Sequence, residues 1–268
     1  MAVSFIISPC GYRCGERGRL VKPGVIALIA IAWSSSASAQ TLPGGFVFLR
    51  EIDPSILQDI RYAGSNNFMG RRVAGYDAAE CVVKRGVGLA LKRVQQELAS
   101  RKLSLKLLDC YRPARAVRDM AAWARDGQET PAQRRYNPAF SKRDLFRLGY
   151  IAEVSGHSTG AAVDLTLVDL RAGASPAFDP ARAYADCTAP ENLRAPEASV
   201  DMGTGYDCSD VKAHTVSASV TPAQRRWRDT LLSVMARQGF VNYSKEWWHF
   251  SLPGMASRVY DFPASRVR

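Results

Sequence analysis

The chain has 268 residues, 47% of them hydrophobic and 23% charged, an ordinary globular composition with enough interior for one domain of moderate size. Its formal charge of +11 and pI near 9.6 do not by themselves mark a nucleic-acid protein. The arginines are scattered, with no aromatic RNA-binding signature and no zinc-finger spacing, and a basic protein working beside anionic wall polymers fits the same balance.

In chain order, Arg13, Arg17, Arg19 and Lys22 precede an apolar run at residues 25–33, and Ala37-Ser38-Ala39 then precede Gln40. Basic region, apolar region and small-x-small cleavage site follow one another as in a secretory signal, and the run is too short for a comfortable membrane span. Residues 1–39 therefore read as a cleaved signal with an over-long basic region. Residues 40–268 read as the mature domain, with 32 basic and 24 acidic residues, net +8, and no membrane span after cleavage. Cys81, Cys110, Cys187 and Cys208 lie in the mature part, and an even count in an exported chain points to disulfides. Three pairings are open, with Cys81–Cys110 and Cys187–Cys208 preferred; a cysteine-bound zinc lacks the close C-x-x-C pairs it normally uses.

Residues 56–62 read as a short strand or turn, followed by a loop rich in Gly and Asn. Residues 84–100 place Val87, Leu91, Val94 and Leu98 on one helical stripe. Residues 103–109 look like a strand, Pro113 opens a helix with Val117, Met120, Ala121 and Ala124 on one face, and residues 161–168 form a buried strand. Residues 171–200, rich in Ala, Pro and Asp, read as a surface insertion within the domain. Thr221, Pro222 and Gln224 form a capping box that starts a helix carrying Trp227, Leu231, Val234 and Met235, ended by Gly239. Residues 240–252 hold two short strand-like pieces. The mixed order without repeats predicts a single α+β domain, its antiparallel or mixed central sheet flanked by helices.

Chemistry has few carriers, because the only histidines are His157, His214 and His249. Asp164 lies inside the apolar run AAVDLTL, where a carboxylate is costly unless it is paired or coordinated. Strand parity alone would put His157 and Asp164 on opposite faces, but Gly156 and Gly160 let the chain turn between them. In EWWHF, Glu246 and His249 face one site only if the chain bends before a strand entered at Trp248. His157, Asp164 and His249 together form a two-imidazole, one-carboxylate set that leaves a fourth zinc position open. Glu246 then stands where a general base is needed, and Arg112, in DCYRP, stands where a guanidinium can stabilise an oxyanion. Each has a plainer alternative: Asp164 capping a turn or paired with an arginine, EWWHF as an aromatic patch with a solvated glutamate, Arg112 in a surface salt bridge. The same ligand set also serves iron.

The combination S-x-H-x-x-G-x-A-x-D, E-x-W-H and D-x-Y-R-P resembles the D-alanyl-D-alanine dipeptidases, zinc peptidases related to D,D-carboxypeptidases and the hedgehog-type fold. DIRYAGSNNFMGRRVAGY at residues 59–76, DMGTGYD at 201–207 and the closing YDFP at 260–263 extend the likeness over residues 45–264. The resemblance implies one Zn2+ per chain held by His157, Asp164 and His249, with Glu246 as general base and Arg112 stabilising the oxyanion. It places Tyr62, Ser155 and Asp207 around a D-Ala-D-Ala substrate, with Asp207 as partner for the free ammonium. It makes His214 a supporting residue and not a fourth ligand. Together with the secretory pattern at residues 1–39 it implies a bacterial, secreted or periplasmic setting. Residues 171–200 depart from compact members of the family and can cover or widen the pocket. Two other readings stand beside it: a D,D-carboxypeptidase or stem-peptide endopeptidase of peptidoglycan, and a non-catalytic zinc-stabilised binding module. Nothing in the pattern sets an oligomeric state.

Overall fold

A computed structural model describes residues 42–264; the signal predicted at residues 1–39 lies outside the described residues. The chain order is β1 (Phe46–Phe48), α1 (Leu49–Ile52), β2 (Leu57–Gln58), β3 (Val82–Lys84), α2 (Arg85–Ala99), β4 (Leu103–Asp109) and α3 (Ala114–Arg125). It continues with α4 (Pro131–Tyr136), α5 (Leu145–Leu148), β5 (Ala162–Asp169), α6 (Pro222–Arg237), β6 (Val241–Asn242) and β7 (His249–Ser251). Five strands form the main sheet in the order β2-β4-β5-β7-β6, parallel only between β2 and β4. A two-stranded antiparallel sheet pairs β1 with β3. This is a single α+β domain, as the mixed order of elements predicts.

Period-2 alternation decides which face of the sheet does what. Leu105, Leu107, Val163, Leu165 and Leu167 are fully buried, as are Val87, Leu91, Val94 and Leu98 of α2 and Leu231, Val234 and Met235 of α6. Burying each such side chain stabilises by about 1.5–3 kcal/mol, so the two helices clamp one face of the sheet. The alternate positions of β5, Asp164 and Thr166, point the other way and are buried as well. Part of their cover is the backbone at residues 197–198, whose carbonyls accept from the buried Lys106 Nζ.

The capping box of α6 forms as read, with Thr221 Oγ1 accepting from Gln224 N and Gln224 Oε1 from Thr221 N. Pro113 is the N-cap of α3 and not its first helical residue, because its ψ of 146° is still extended. The short helices α1, α4 and α5 span 4, 6 and 4 residues, too few for a 3.6-residue period to register in the sequence. Residues 171–200 carry neither helix nor strand, yet Cys187 and Arg194 within them are buried. The bridges are Cys81–Cys110 and Cys187–Cys208. Among the described residues no helix is long and apolar enough to cross a membrane.

Candidate metal centre and substrate pocket

Strand register assembles the first part of the site. Asp109 at the end of β4 is opposite Asp164 on β5, and Asp164 is opposite His249 on β7, so three neighbouring strands line up three polar residues in one row. A register shift between Leu107 and Asp109 lets the end of β4 reach that row. The bend required in EWWHF is present: Glu246 N donates to Tyr243 O at 2.9 Å and His249 N to Glu246 O at 3.3 Å. These turns bring Glu246 Oε2 to 3.7 Å from His249 Nδ1.

His157 arrives from a 3-10 turn, Gly156–Thr159, whose start is capped by Ser155 Oγ accepting from His157 N at 3.2 Å. Gly160 closes that turn at φ +77°, and a Cβ there would fall 2.3 Å from Phe46 Cε1, so only glycine fits. His157 Nδ1 lies 2.8 Å from the carbonyl of Cys110, which can only accept; Nδ1 therefore carries the proton and Nε2 is free to bind. That Nε2 stands 3.1 Å from His249 Nδ1 and 3.3 Å from Asp164 Oδ1, while His249 Nδ1 is 3.1 Å from the same Oδ1.

These ligand atoms all lie within 4.8 Å of one another. Two imidazole nitrogens and a carboxylate oxygen aimed at one point suit a zinc-like cation better than they suit each other. The supports fit the same purpose. Asp164 Oδ2 accepts from Tyr206 OH at 2.9 Å and lies 3.6 Å from Arg112 Nη2, leaving Oδ1 for a metal. Burial pushes the Asp164 carboxyl up, but the two imidazoles more than offset it and hold it well below the usual range.

Asp109, fully buried, accepts from Tyr76 OH at 2.5 Å and from Arg112 Nε and Nη2 at 3.0 and 2.9 Å. It therefore fixes the guanidinium, which also lies over the Tyr62 ring at 5.0 Å. Tyr62 OH donates to Asp207 Oδ2 at 2.7 Å. Asp207 and Glu246 share a void of about 20 Å³ walled by Phe68, Trp123, Tyr150 and Trp248. That is room for a group the size of one water. Burial and the Asp164 charge push the Asp207 carboxyl up to about 8. Burial does the same to Glu246, with His249 and Arg112 drawing it down and Asp164 and Asp207 adding to the rise.

His214 stays outside the cluster: its Nε2 is 3.3 Å from Tyr150 OH, so it backs a wall of the void. A cavity of about 910 Å³ against residues 172–200 is larger, but none of His157, Asp164, His249 or Glu246 lines it. Sequence reasoning missed the parts played by Asp109, Tyr76 and Tyr206. All three sit inside quoted segments, DCYRP, DIRYAGSNNFMGRRVAGY and DMGTGYD, yet only the folded chain shows what they hold.

A mixed sheet that gathers three residues able to hold a metal, a second carboxylate and a fixed guanidinium has the equipment of a metal-dependent hydrolase. A family profile described as D-ala-D-ala dipeptidase matches residues 43–179 and 180–267, and the chain belongs to that family of metallopeptidases. Its relatives include a D-alanyl-D-alanine dipeptidase of Streptomyces coelicolor, 33% identical over 224 residues, covering 83% of this chain and 99% of the relative. Another, from Enterococcus faecalis, is 30% identical and covers 79% of this chain and 93% of its own length. A third, from Escherichia coli, is 29% identical over 79% of this chain and 86% of its own length. The profile match is divided between residues 179 and 180, inside residues 171–200, with both sides matched.

Proposed function

We propose that this protein is a zinc-dependent dipeptidase that hydrolyses free D-Ala-D-Ala to D-alanine in the bacterial cell envelope. The observation that carries the reading is the placement of Asp207 and Glu246 on one small void, with Glu246 Oε2 3.7 Å from His249 Nδ1 of the candidate ligand triad. An acidic side chain walled by aromatics suits a small residue with a free ammonium, whereas a peptidoglycan stem peptide needs an open groove. A binding module would have no use for a base and a fixed guanidinium together.

His157, Asp164 and His249 would hold one Zn2+, which when bound polarises the scissile carbonyl and makes water a better nucleophile. Glu246 takes the proton from the attacking water and passes it to the leaving amine. Positive charge at the ligands would oppose the Asp164 charge that helps raise Glu246, drawing its carboxyl down from about 8 toward the working range of a base. Arg112, held by Asp109, faces the developing oxyanion. Asp207, steadied by Tyr62, pairs with the ammonium. Ser155 Oγ accepts from His157 N, which leaves its hydroxyl proton free to donate to substrate. The secretory pattern at residues 1–39 supports an envelope location.

The test compares free D-Ala-D-Ala with an N-acylated D-Ala-D-Ala peptide, in the parent and in Glu246→Gln. The parent should cleave the free dipeptide preferentially, and Glu246→Gln should keep its zinc while kcat falls by about 10²–10⁴. Cleavage of only the blocked peptide would sink the dipeptidase reading, and a near-parental rate in Glu246→Gln would sink the assignment of the base.

A further inference from the structure

We infer that the Cys187–Cys208 disulfide is a positioning element for substrate recognition, holding Asp207 in the backbone conformation that aims its carboxylate into the pocket. The inference rests on the reading of Asp207 as the ammonium partner. Asp207 has φ +59°, one of three non-glycine residues with positive φ among those described. Aspartate enters the left-handed region more readily than most side chains, so it is the ties around Asp207 that settle which conformation it keeps.

What surrounds Asp207 is a set of ties to one anchor. Cys208, the next residue, is fully buried and bridged to Cys187. The Cys187 carbonyl accepts from Gly205 N at 2.8 Å, so the same residue grips the chain on both sides of Asp207. Cys187 N in turn donates to Arg135 O at 2.8 Å, and Ser209 N donates to Tyr136 O at 2.9 Å. Arg135 and Tyr136 end α4, where Tyr136 is buried and its hydroxyl donates to Asn66 Oδ1 at 2.9 Å. Among the described residues the carboxylate has a single side-chain hydrogen-bond partner, Tyr62, so its aim depends on the backbone. Residues 171–200 thus brace the recognition loop from behind through Cys187. The other bridge serves a different part of the site, because the Cys110 carbonyl takes the proton side of His157.

The experiment measures KM, kcat and bound zinc on free D-Ala-D-Ala for the parent, Cys187→Ala/Cys208→Ala and Asp207→Asn. The bridge variant is expected to raise KM about tenfold or more, with kcat per bound zinc within about twofold of the parent. KM does not depend on the fraction of molecules that folds, so a partly folded preparation still reports. If the alanine pair yields no folded protein, Cys187→Val/Cys208→Ala restores much of the lost volume for the same measurement. An unchanged KM, or a fall in kcat per bound zinc with KM unmoved, overturns the inference. Should Asp207→Asn itself leave KM unchanged, the fault lies in the reading of Asp207; a raised KM there with a parental KM in the bridge variant refutes the bridge alone.

Discussion

Asp109→Asn is the sharpest probe of how the site is built, because one buried carboxylate serves both the guanidinium and the sheet row. Asp109 is fully buried and receives Arg112 Nε at 3.0 Å, Arg112 Nη2 at 2.9 Å and Tyr76 OH at 2.5 Å. The substitution keeps shape but removes the charge, and it turns an amide donor toward guanidinium donors or toward the Tyr76 hydroxyl. Breaking a buried pair from one side costs about 3–5 kcal/mol. Arg112 keeps a second acidic neighbour, Asp164 at 3.6 Å, which argues for the lower end, about 3 kcal/mol. At about 2–4 °C per kcal/mol for a domain of this size, Tm should fall by roughly 6–12 °C. With the guanidinium unfixed, kcat should fall by about 10–100-fold, short of the 10²–10³ that losing an oxyanion donor costs. Glu97→Gln is the control, since Glu97 meets Arg101 and Arg237 at the surface and such pairs contribute about 0–1 kcal/mol. A Tm within about 2 °C of the parent, together with parental kcat, would refute the claim that Asp109 holds Arg112 in place.

Tyr206→Phe removes the hydroxyl that holds Asp164 Oδ2 at 2.9 Å, and metal affinity measured by chelator competition should weaken about 10–100-fold with the fold intact. Unchanged affinity would mean that Asp164 needs no such orientation. Gly160→Ala places a methyl against Phe46 at a φ of +77°, and the urea midpoint should report a loss of about 1–3 kcal/mol; a parental midpoint would contradict the packing described. Zinc-free protein should lose stability as pH rises. The Asp207 carboxyl, ordinarily near about 3.9, is raised to about 8 in the folded chain, so the folded state binds the extra proton between those values. Its contribution is complete below about pH 4 and is gone once pH passes about 8. Glu246 acts in the same direction, and Asp207→Asn should flatten the decline of Tm between pH 5 and 9. A Tm that climbed over that interval would show the sign to be wrong.

The cluster of His157, Asp164 and His249 was legible because its signals are local anomalies: a carboxylate inside an apolar run, a histidine between glycines, a histidine among aromatics. The long helices were legible for a related reason, since Val87, Leu91, Val94 and Leu98 repeat often enough to show a period and Thr221 with Gln224 marks a start. The parts that escaped depend on alignment between distant segments. Asp109 matters because it falls opposite Asp164 after a register shift, and a shift leaves no mark in composition. Tyr206 reaches Asp164 only after the chain has returned from residues 171–200, a path with no periodic signal. Those residues read as a surface insertion from their Ala, Pro and Asp content, which cannot show that Cys187 is buried beneath Asp207's loop.

Electrostatics ties metal loading to recognition. Asp109, Asp164, Asp207 and Glu246 bring four carboxylates into one electrostatic neighbourhood, against the single guanidinium of Arg112 and two imidazoles that must be neutral to bind a metal. The Asp164 charge is what pushes both Asp207 and Glu246 upward after burial, so without a cation both tend to hold protons near neutrality. His157, Asp164 and His249 would hold a dication whose charge opposes that push on both groups, so that in the proposed reading Glu246 would serve as a base and Asp207 as an anion. Counting ionised groups, four negative charges against Arg112 and a dication leave one in excess. An ammonium at Asp207 neutralises it locally, whereas an acylated nitrogen brings no charge and leaves a buried carboxylate unpaired. On the proposed reading, preference for a free dipeptide would follow from the same carboxylates that form the candidate metal site, and removing zinc from the folded protein should weaken binding of the free dipeptide relative to its N-acylated form.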